Sequence, residues 1–598
     1  MPVSTLSEWV THYRQQPQQL VAAYQQLDAD LSRDDNAWIY IASHDEIYAQ
    51  LTTIFQAINS GEKQASDFAL LGVPFAAKDN IDVAGMPTSA GCPAFTYQPG
   101  KDATVIARLK AAGAIVVGKT NLDQFATGLV GTRSPFGAVK NTFNPEYVSG
   151  GSSSGSASVV ARGLVCFSLG TDTAGSGRVP AGFNNLVGLK PTKGWISTTG
   201  VVPACRLNDC VSVFALTVED AETVVAVAGG YDPQDPYSRT NPQTAPARFS
   251  EKPRFAVPDT LEFFGDSQSQ VAFVKTLGRL QQQGVELVSI DFSAFNQLAE
   301  QLYNGAWVAE RTVAIGDIFK NQPEAMDPTV RGIVANGLNY TACDAWQAEY
   351  TRAELAQKIN DQLREFDALL VPTSPTIHTL AEMAQHPVRY NSQFGTYTNF
   401  TNLADLCALA LPGDFRNDGL PAGITLIAPA WHDQALSHFG KSWQQALNLQ
   451  LGATGKTLSA SNTAKASTNH VRVAVVGAHL REMPLNHQLT TRNAVFIEET
   501  RTADHYRLYA LANTQPPKPG LVRHAEGQPI AVELWDIPLA RFGEFVAEIP
   551  APLGIGTLVL ENGASVKGFI CEPQALLDAT DITAWGGWKA WLARHHSA

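Results

Sequence analysis

Apolar residues recur at helical spacing through residues 1–60, as in LVAAYQQLDADL, and the pattern predicts N-terminal helices. From LGVPFAAKD onward the texture changes. Short apolar runs (AIVVG, SVVARGLVCFSLG, ALLVPTS, AGITLIAP) alternate with glycine-rich turns and helical stretches such as DATVIARLKAAG. That alternation predicts an α/β fold, a mixed sheet flanked by helices. The stretch GATGKTLSASNTAKASTNH, residues 452–470, holds one bulky apolar residue in nineteen and reads as a linker. VRVAVVGAHL then restarts a strand pattern, with turn signals at PPKPG, LENGAS and GGWK. The expected organisation is a first domain over 1–451, a linker over 452–470, and a smaller strand-rich α+β domain over 471–598. No internal repeat is visible.

Composition narrows the function classes. A formal net charge of -13 and the lack of any Lys/Arg run argue against a nucleic-acid surface. No stretch reaches the ~18 consecutive apolar residues of a membrane-spanning helix. MPVSTLSEWVTHYRQQ has neither the apolar core nor the cleavage site of a secretory signal. The seven cysteines are scattered, and Cys205 and Cys210 lack zinc-site spacing. Reduced thiols in a cytoplasmic protein fit that usage.

SLGTDTAGSGRVPAGFNN, residues 168–185, frames Ser176 with glycines. Such a run turns tightly and aims backbone N–H groups at one spot, which suits an oxyanion. No histidine lies between His44 and His378, so a serine nucleophile here needs another base. Lys78, in PFAAKDNIDVAG, follows an apolar run that buries its stem. Neutrality at pH 7 requires a depression of roughly three pKa units, on the order of 4 kcal/mol. A hydroxyl from SGGSSSGSAS, residues 149–158, can relay the proton. Gly151-Ser152-Ser153-Ser154-Gly155 also fits a nucleophile elbow, but the elbow needs a buried strand before it and KNTFNPEYVSG is not one. Asp172 and Arg178 flank the nucleophile and read as an ion pair supporting the loop.

Together Lys78, GGSSSGS, GTDTAGSGR, GLKPTKG, NLDQFATG, LLVPTSPT and GLPAGITLIAP resemble the amidase signature family over roughly residues 20–440. The resemblance implies a Ser–Ser–Lys triad whose middle serine follows a cis peptide and stands 24 residues before the nucleophile, which selects Ser152 and Ser176. Lys78 then takes the proton through Ser152, and the N–H groups of Thr173, Ala174, Gly175 and Ser176 hold the oxyanion. In LYNGAWVAERTVAI, residues 302–315, Tyr303 and Arg311 fall near one face of a helix. Apolar neighbours imply that this helix is buried, and a buried Arg without an acidic partner suits an anionic substrate.

YNGAWVAER, with GAHLREMPLNHQL, YRLYAL, PPKPGLVR, PAPLGIGTLVL and VKGFICE, resembles the allophanate hydrolases, and the match spans nearly the whole chain. That resemblance makes 1–451 an amidase domain and 471–598 an allophanate hydrolase C-terminal domain. It implies allophanate, urea bearing a carboxylate, as substrate. Arg311 would grip the carboxylate, Tyr303 the ureido group, and the Gly128 backbone would line the pocket. Ammonia leaves first, and a doubly carboxylated nitrogen species then decarboxylates with help from the C-terminal domain. His487 is the first candidate acid there and His479 the second, with Arg507 and Arg523 as cations. No metal, nucleotide or biotin is expected. A homodimer, and a functional link to a urea carboxylase or a biuret-producing pathway, complete the expectation. The alternatives are a hydrolase of another small amide and an inactive scaffold.

Overall fold

The computed structural model describes residues 5–32, 35–458 and 469–595. It divides into Met1–Asn241 with Pro253–Ser461, and Pro242–Lys252 with Asn462–Ala598. In chain order the strands of the first unit are β1 (Trp38–Ile41), β2 (Pro74–Lys78), β3 (Ile115–Thr120), β4 (Phe167–Asp172), β5 (Val187–Lys190), β6 (Cys210–Ala215), β7 (Arg254–Pro258), β8 (Glu286–Ile290), β9 (Ala368–Pro372), β10 (Leu406–Leu411) and β11 (Ile424–Pro429). They form one mixed sheet in the order β1-β3-β2-β4-β6-β5-β10-β11-β9-β7-β8. Parallel pairing joins β2 to β3 and β4, and β7 to β8 and β9.

The central strands are buried along their whole length, which is why they read as unbroken apolar runs. AIVVG, ALLVPTS and AGITLIAP become β3, β9 and β11. SVVARGLVCFSLG is different. Its start belongs to the helix Ser154–Ala161 and its end to β4. Gly163, at φ +69°, takes the left-handed conformation that ends the helix before the strand begins. The N-terminal helices Leu6–Gln15, Leu20–Asp30 and His44–Asn59 match the helical texture, and the first and last start with capping boxes from Thr5 and Ser43. β1 interrupts that texture, because pairing with β3 recruits a four-residue run too short to show a period.

In the second unit β12 (His470–Val475), β13 (Val495–Arg501), β16 (Ala531–Pro538), β17 (Leu553–Val559) and β18 (Ser565–Cys571) form a sheet in the order β13-β16-β12-β18-β17. A smaller sheet joins β14 (Tyr506–Ala510), β15 (Pro519–Arg523) and β19 (Thr580–Asp581). PPKPG runs from the β14–β15 connection into the start of β15, and LENGAS from the β17–β18 connection into the start of β18. Pro242–Lys252 belongs to this unit: Asn493 donates to the Thr244 carbonyl at 3.0 Å, and Arg481 pairs with Glu251 at 2.8 Å. Of the expected linker, residues 459–468 lie outside the described residues. Its first residues pack on the first unit, where the Ala453 N–H donates to the Ala161 carbonyl at 2.8 Å.

Candidate active site

β2 and β4 run parallel side by side, so their carboxyl ends open at one edge of the sheet. Lys78 ends β2, and Ser176 stands on the turn after β4. The register pairs Ala77 with Leu169, which brings the lysine alongside Thr171. Lys78 Nζ donates to Thr171 Oγ1 at 2.7 Å and to Ser152 Oγ at 2.8 Å. Lys78 and Ser152 are fully enclosed, and Ser176 is 3% exposed. Burial pushes the Lys78 ammonium down to about 7, against the opposing pull of Asp123, Asp209 and Asp172. A lysine half neutral at pH 7 can accept a proton from a hydroxyl it touches. The Gly151–Ser152 peptide is cis.

The Asp172 carboxylate organises the turn. It accepts the Gly175 and Gly177 N–H groups, each at 3.0 Å, and the Arg178 guanidinium at 2.9 and 3.0 Å. Burial works against the Asp172 charge, yet Arg178, Lys190 and the Gly177 N–H keep its carboxyl below the usual carboxylate range. Of the four N–H groups expected at an oxyanion, that of Gly175 is therefore already bonded to Asp172. Among the described residues the N–H groups of Thr173, Ala174 and Ser176 have no protein acceptor. Gly175 itself sits at φ +130°, and a Cβ there would collide with the Thr398 side chain. The Ser176 hydroxyl donates to the Gly128 carbonyl at 3.4 Å, and no hydrogen bond joins it to Ser152. Gly128 has no room for a side chain either: a Cβ would lie 2.6 Å from Asp123 Oδ2.

Tyr303 and Arg311 meet, but not on one helix face. Tyr303 lies on the helix Ser293–Asn304 and Arg311 on Val308–Ala314, with an extended Gly305 between them. The break folds the second helix back, so that Arg311 Nη2 donates to the Tyr303 hydroxyl at 3.1 Å and the guanidinium carbon lies 4.9 Å from the ring centroid. Arg311 Nη1 donates to Thr127 Oγ1 at 3.1 Å, and Arg311 is 2% exposed. Burial works against its charge, and Tyr303, Cys205, Asp209 and Glu310 more than offset it, so its pKa is raised. Thr127 precedes Gly128, which ties the arginine to the serine's surroundings.

An amidase family model matches residues 20–436, and an allophanate hydrolase C-terminal domain model matches residues 471–593. The chain belongs to the amidase family. The urea amidolyase of Saccharomyces cerevisiae is 45% identical over 576 residues, covering 93% of this amidase but only 31% of the yeast protein. The chain thus spans about a third of the length of that curated relative. The solved allophanate hydrolase of Kluyveromyces lactis superposes with a TM-score of 0.86 at 43% identity, and the match covers both chains completely. The solved urea amidolyase of the same yeast gives a TM-score of 0.86 at 43% identity, over 100% of this chain and 37% of the larger one. No helix among the described residues is long and apolar enough to cross a membrane.

In the second unit of this amidase, His479 and His487 occupy different settings. His479 is buried, stacks on Phe569 at 4.9 Å and bonds Gln488 Oε1 at 2.8 Å. Burial lowers its pKa. With Gln488, Lys518 and Glu548 it lines a cavity of about 170 Å3. His487 is exposed, its Nδ1 2.9 Å from the Pro484 carbonyl. Arg507 is not a free cation, since Glu526 and Asp581 flank it at 3.5 and 3.8 Å. Arg523 is exposed. The cation at the cavity is Lys518, which no sequence pattern singled out.

Four residues around the first site escape a reading of the sequence. Thr171 holds Lys78. Asp123, in NLDQFATG, gathers the N–H groups of Val130, Gly131 and Arg133. Asp209 takes the Thr173 hydroxyl at 2.5 Å, and burial pushes its carboxyl up to about 6. Arg133 is buried against Thr127. Only register and packing bring these side chains to the site. An acid shortly before Gly128, in NLDQFATG, was the one local signal.

Proposed function

We propose that this amidase hydrolyses allophanate. One observation carries the reading: Arg311 is enclosed beside Tyr303 and, among the described residues, forms no ion pair with a carboxylate, which leaves its guanidinium open to an anionic substrate. The allophanate carboxylate binds Arg311, and Tyr303 contacts the ureido group. The terminal amide carbon then faces Ser176. The Ser176 hydroxyl turns from the Gly128 carbonyl towards Ser152, which passes its proton to neutral Lys78. Ser176 Oγ bonds to the amide carbon, and the oxyanion is held by the free N–H groups of Thr173, Ala174 and Ser176. The C–N bond breaks, and the nitrogen leaves as ammonia with a proton returned through Ser152. Water, deprotonated by the same route, releases the acyl group as a nitrogen bearing two carboxylates. Loss of carbon dioxide from that dianion, and then from carbamate, yields the second ammonia.

The dianion is the substrate assigned to the C-terminal unit, with His487 or the cavity-lining His479 as proton donor. A homodimer in the cytoplasm, fed by a urea carboxylase or a biuret-producing pathway, belongs to the same reading. The similarity to urea amidolyase supports the carboxylase source.

The test compares ammonia release from allophanate and from biuret, its neutral counterpart with an amide in place of the carboxylate. Allophanate is expected to have the higher kcat/KM by about 100-fold, since a neutral amide leaves Arg311 unpaired. Ser176→Ala is expected to fall to background on both. Equal kcat/KM for the two substrates would replace this reading with hydrolysis of another small amide.

A further inference from the structure

Arg311 is not the only buried guanidinium at this site. Arg133 is also 2% exposed. Its Nη1 donates to the Thr127 carbonyl at 3.0 Å and its Nη2 to the Pro387 carbonyl at 2.9 Å. Arg311 reaches the hydroxyl of the same threonine. The two arginines therefore hold Thr127 from its two polar ends. The next carbonyl, that of Gly128, accepts the Ser176 hydroxyl.

Neither cation has a carboxylate in direct contact. Among the described residues neither Arg133 nor Arg311 forms an ion pair, and the Nε atom of each is buried without an acceptor. Asp123, the strongest acidic influence on Arg133, already accepts the backbone N–H groups of Val130, Gly131 and Arg133. Burial lowers the Arg133 pKa against the pull of Asp123, Tyr303 and Asp327, and Arg311 adds a smaller push in the same direction as burial. Two like charges enclosed in one region repel each other and lose hydration. An anion entering that region relieves the repulsion, because it supplies a contacting counter-charge where the surrounding acids act only from a distance.

We propose that Arg133 is a second determinant of charge selectivity at this site, acting through Thr127 as a positioning residue and not by touching substrate. Its charge adds to the field of Arg311, and its fork sets the Thr127–Gly128 segment against which the substrate lies. The proposal rests on the anionic-amide reading.

The measurement is the ratio of kcat/KM for an anionic amide to that for its neutral isostere. Two pairs serve: allophanate with biuret, and malonamate with malonamide. The ratio cancels any change in the fraction of folded enzyme. In Arg133→Met it is expected to fall about tenfold, mainly through KM for the anions, with the neutral amides little changed. Arg133→Lys, which keeps the charge, is expected to recover most of the ratio. If Arg133→Met folds poorly, Arg311→Met carries the test: with Arg133 still present it should retain an anion preference of about tenfold. An unchanged ratio in Arg133→Met, or no remaining preference in Arg311→Met, would overturn the proposal. A wild-type enzyme with no anion preference would instead sink the anionic-amide reading itself.

Discussion

An ammonium loses hydration when it is enclosed, and Lys78 has hydroxyl oxygens at Ser152 and Thr171 in place of water. Neither carries a charge, so burial wins and the pKa falls to about 7 although three acids pull the other way. The protonated form cannot accept the Ser152 proton, so kcat/KM should rise with pH, with a midpoint near 7, and level off above it. Lys78→Arg keeps a charge that does not titrate in this range. It should lose roughly 10³-fold above pH 7, where the wild type has levelled off, and flatten the profile, so that the loss shrinks towards low pH. A full-size acid limb persisting in that variant would assign the limb to another group. The Asp172–Arg178 pair needs no catalytic role, because its geometry accounts for the turn that carries Ser176.

At the scale of elements, a helix break and a helix start matter most. The Gly305 break turns eight residues of sequence into the contact between Tyr303 and Arg311, which one continuous helix would have spread over two turns. The start is that of Leu6–Gln15. Its first amides, Leu6 and Ser7, donate to Asp220 Oδ2 and Oδ1 at 3.0 and 3.2 Å. Burial pushes the Asp220 carboxyl up to about 7, against the Leu6 and Ser7 N–H groups and Thr217, with Glu219 adding to the rise. A folded-state pKa raised above that of an ordinary aspartate means stability present at low pH and lost as pH climbs through about 7. Amide exchange in Leu6–Gln15, corrected for intrinsic rates, should therefore be slower at pH 5 than at pH 8. Asp220→Asn should remove the difference. The opposite order in wild type would show that the ionised carboxylate is the better anchor for the helix.

For the whole molecule, the division of labour is testable by truncation. A chain ending at residue 458 keeps every strand of the large sheet, although it leaves Pro242–Lys252 without the unit it belongs to. It should release the first ammonia from allophanate, while early stoichiometry drops from two ammonia towards one. His487→Asn and His479→Asn in the full chain separate the two histidines by the same count. Two ammonia at the full rate in all three would make the C-terminal unit structural. Much of this was legible beforehand. Buried strands announce themselves as apolar runs, and glycine–serine loops around a lone lysine restrict the chemistry, because both depend on residue type within a few positions. The sequence by itself thus determined the kind of layers and the Gly/Ser turns, and it marked Lys78, Ser152 and Ser176 as candidate reactive groups. The tertiary structure alone decided the sheet order, the register that sets Lys78 against Thr171, and the convergence of Arg133 and Arg311 on Thr127. Those contacts join positions as distant in sequence as Gly188 and Ala410, and only packing of the complete core selects them among the pairings that local preference permits.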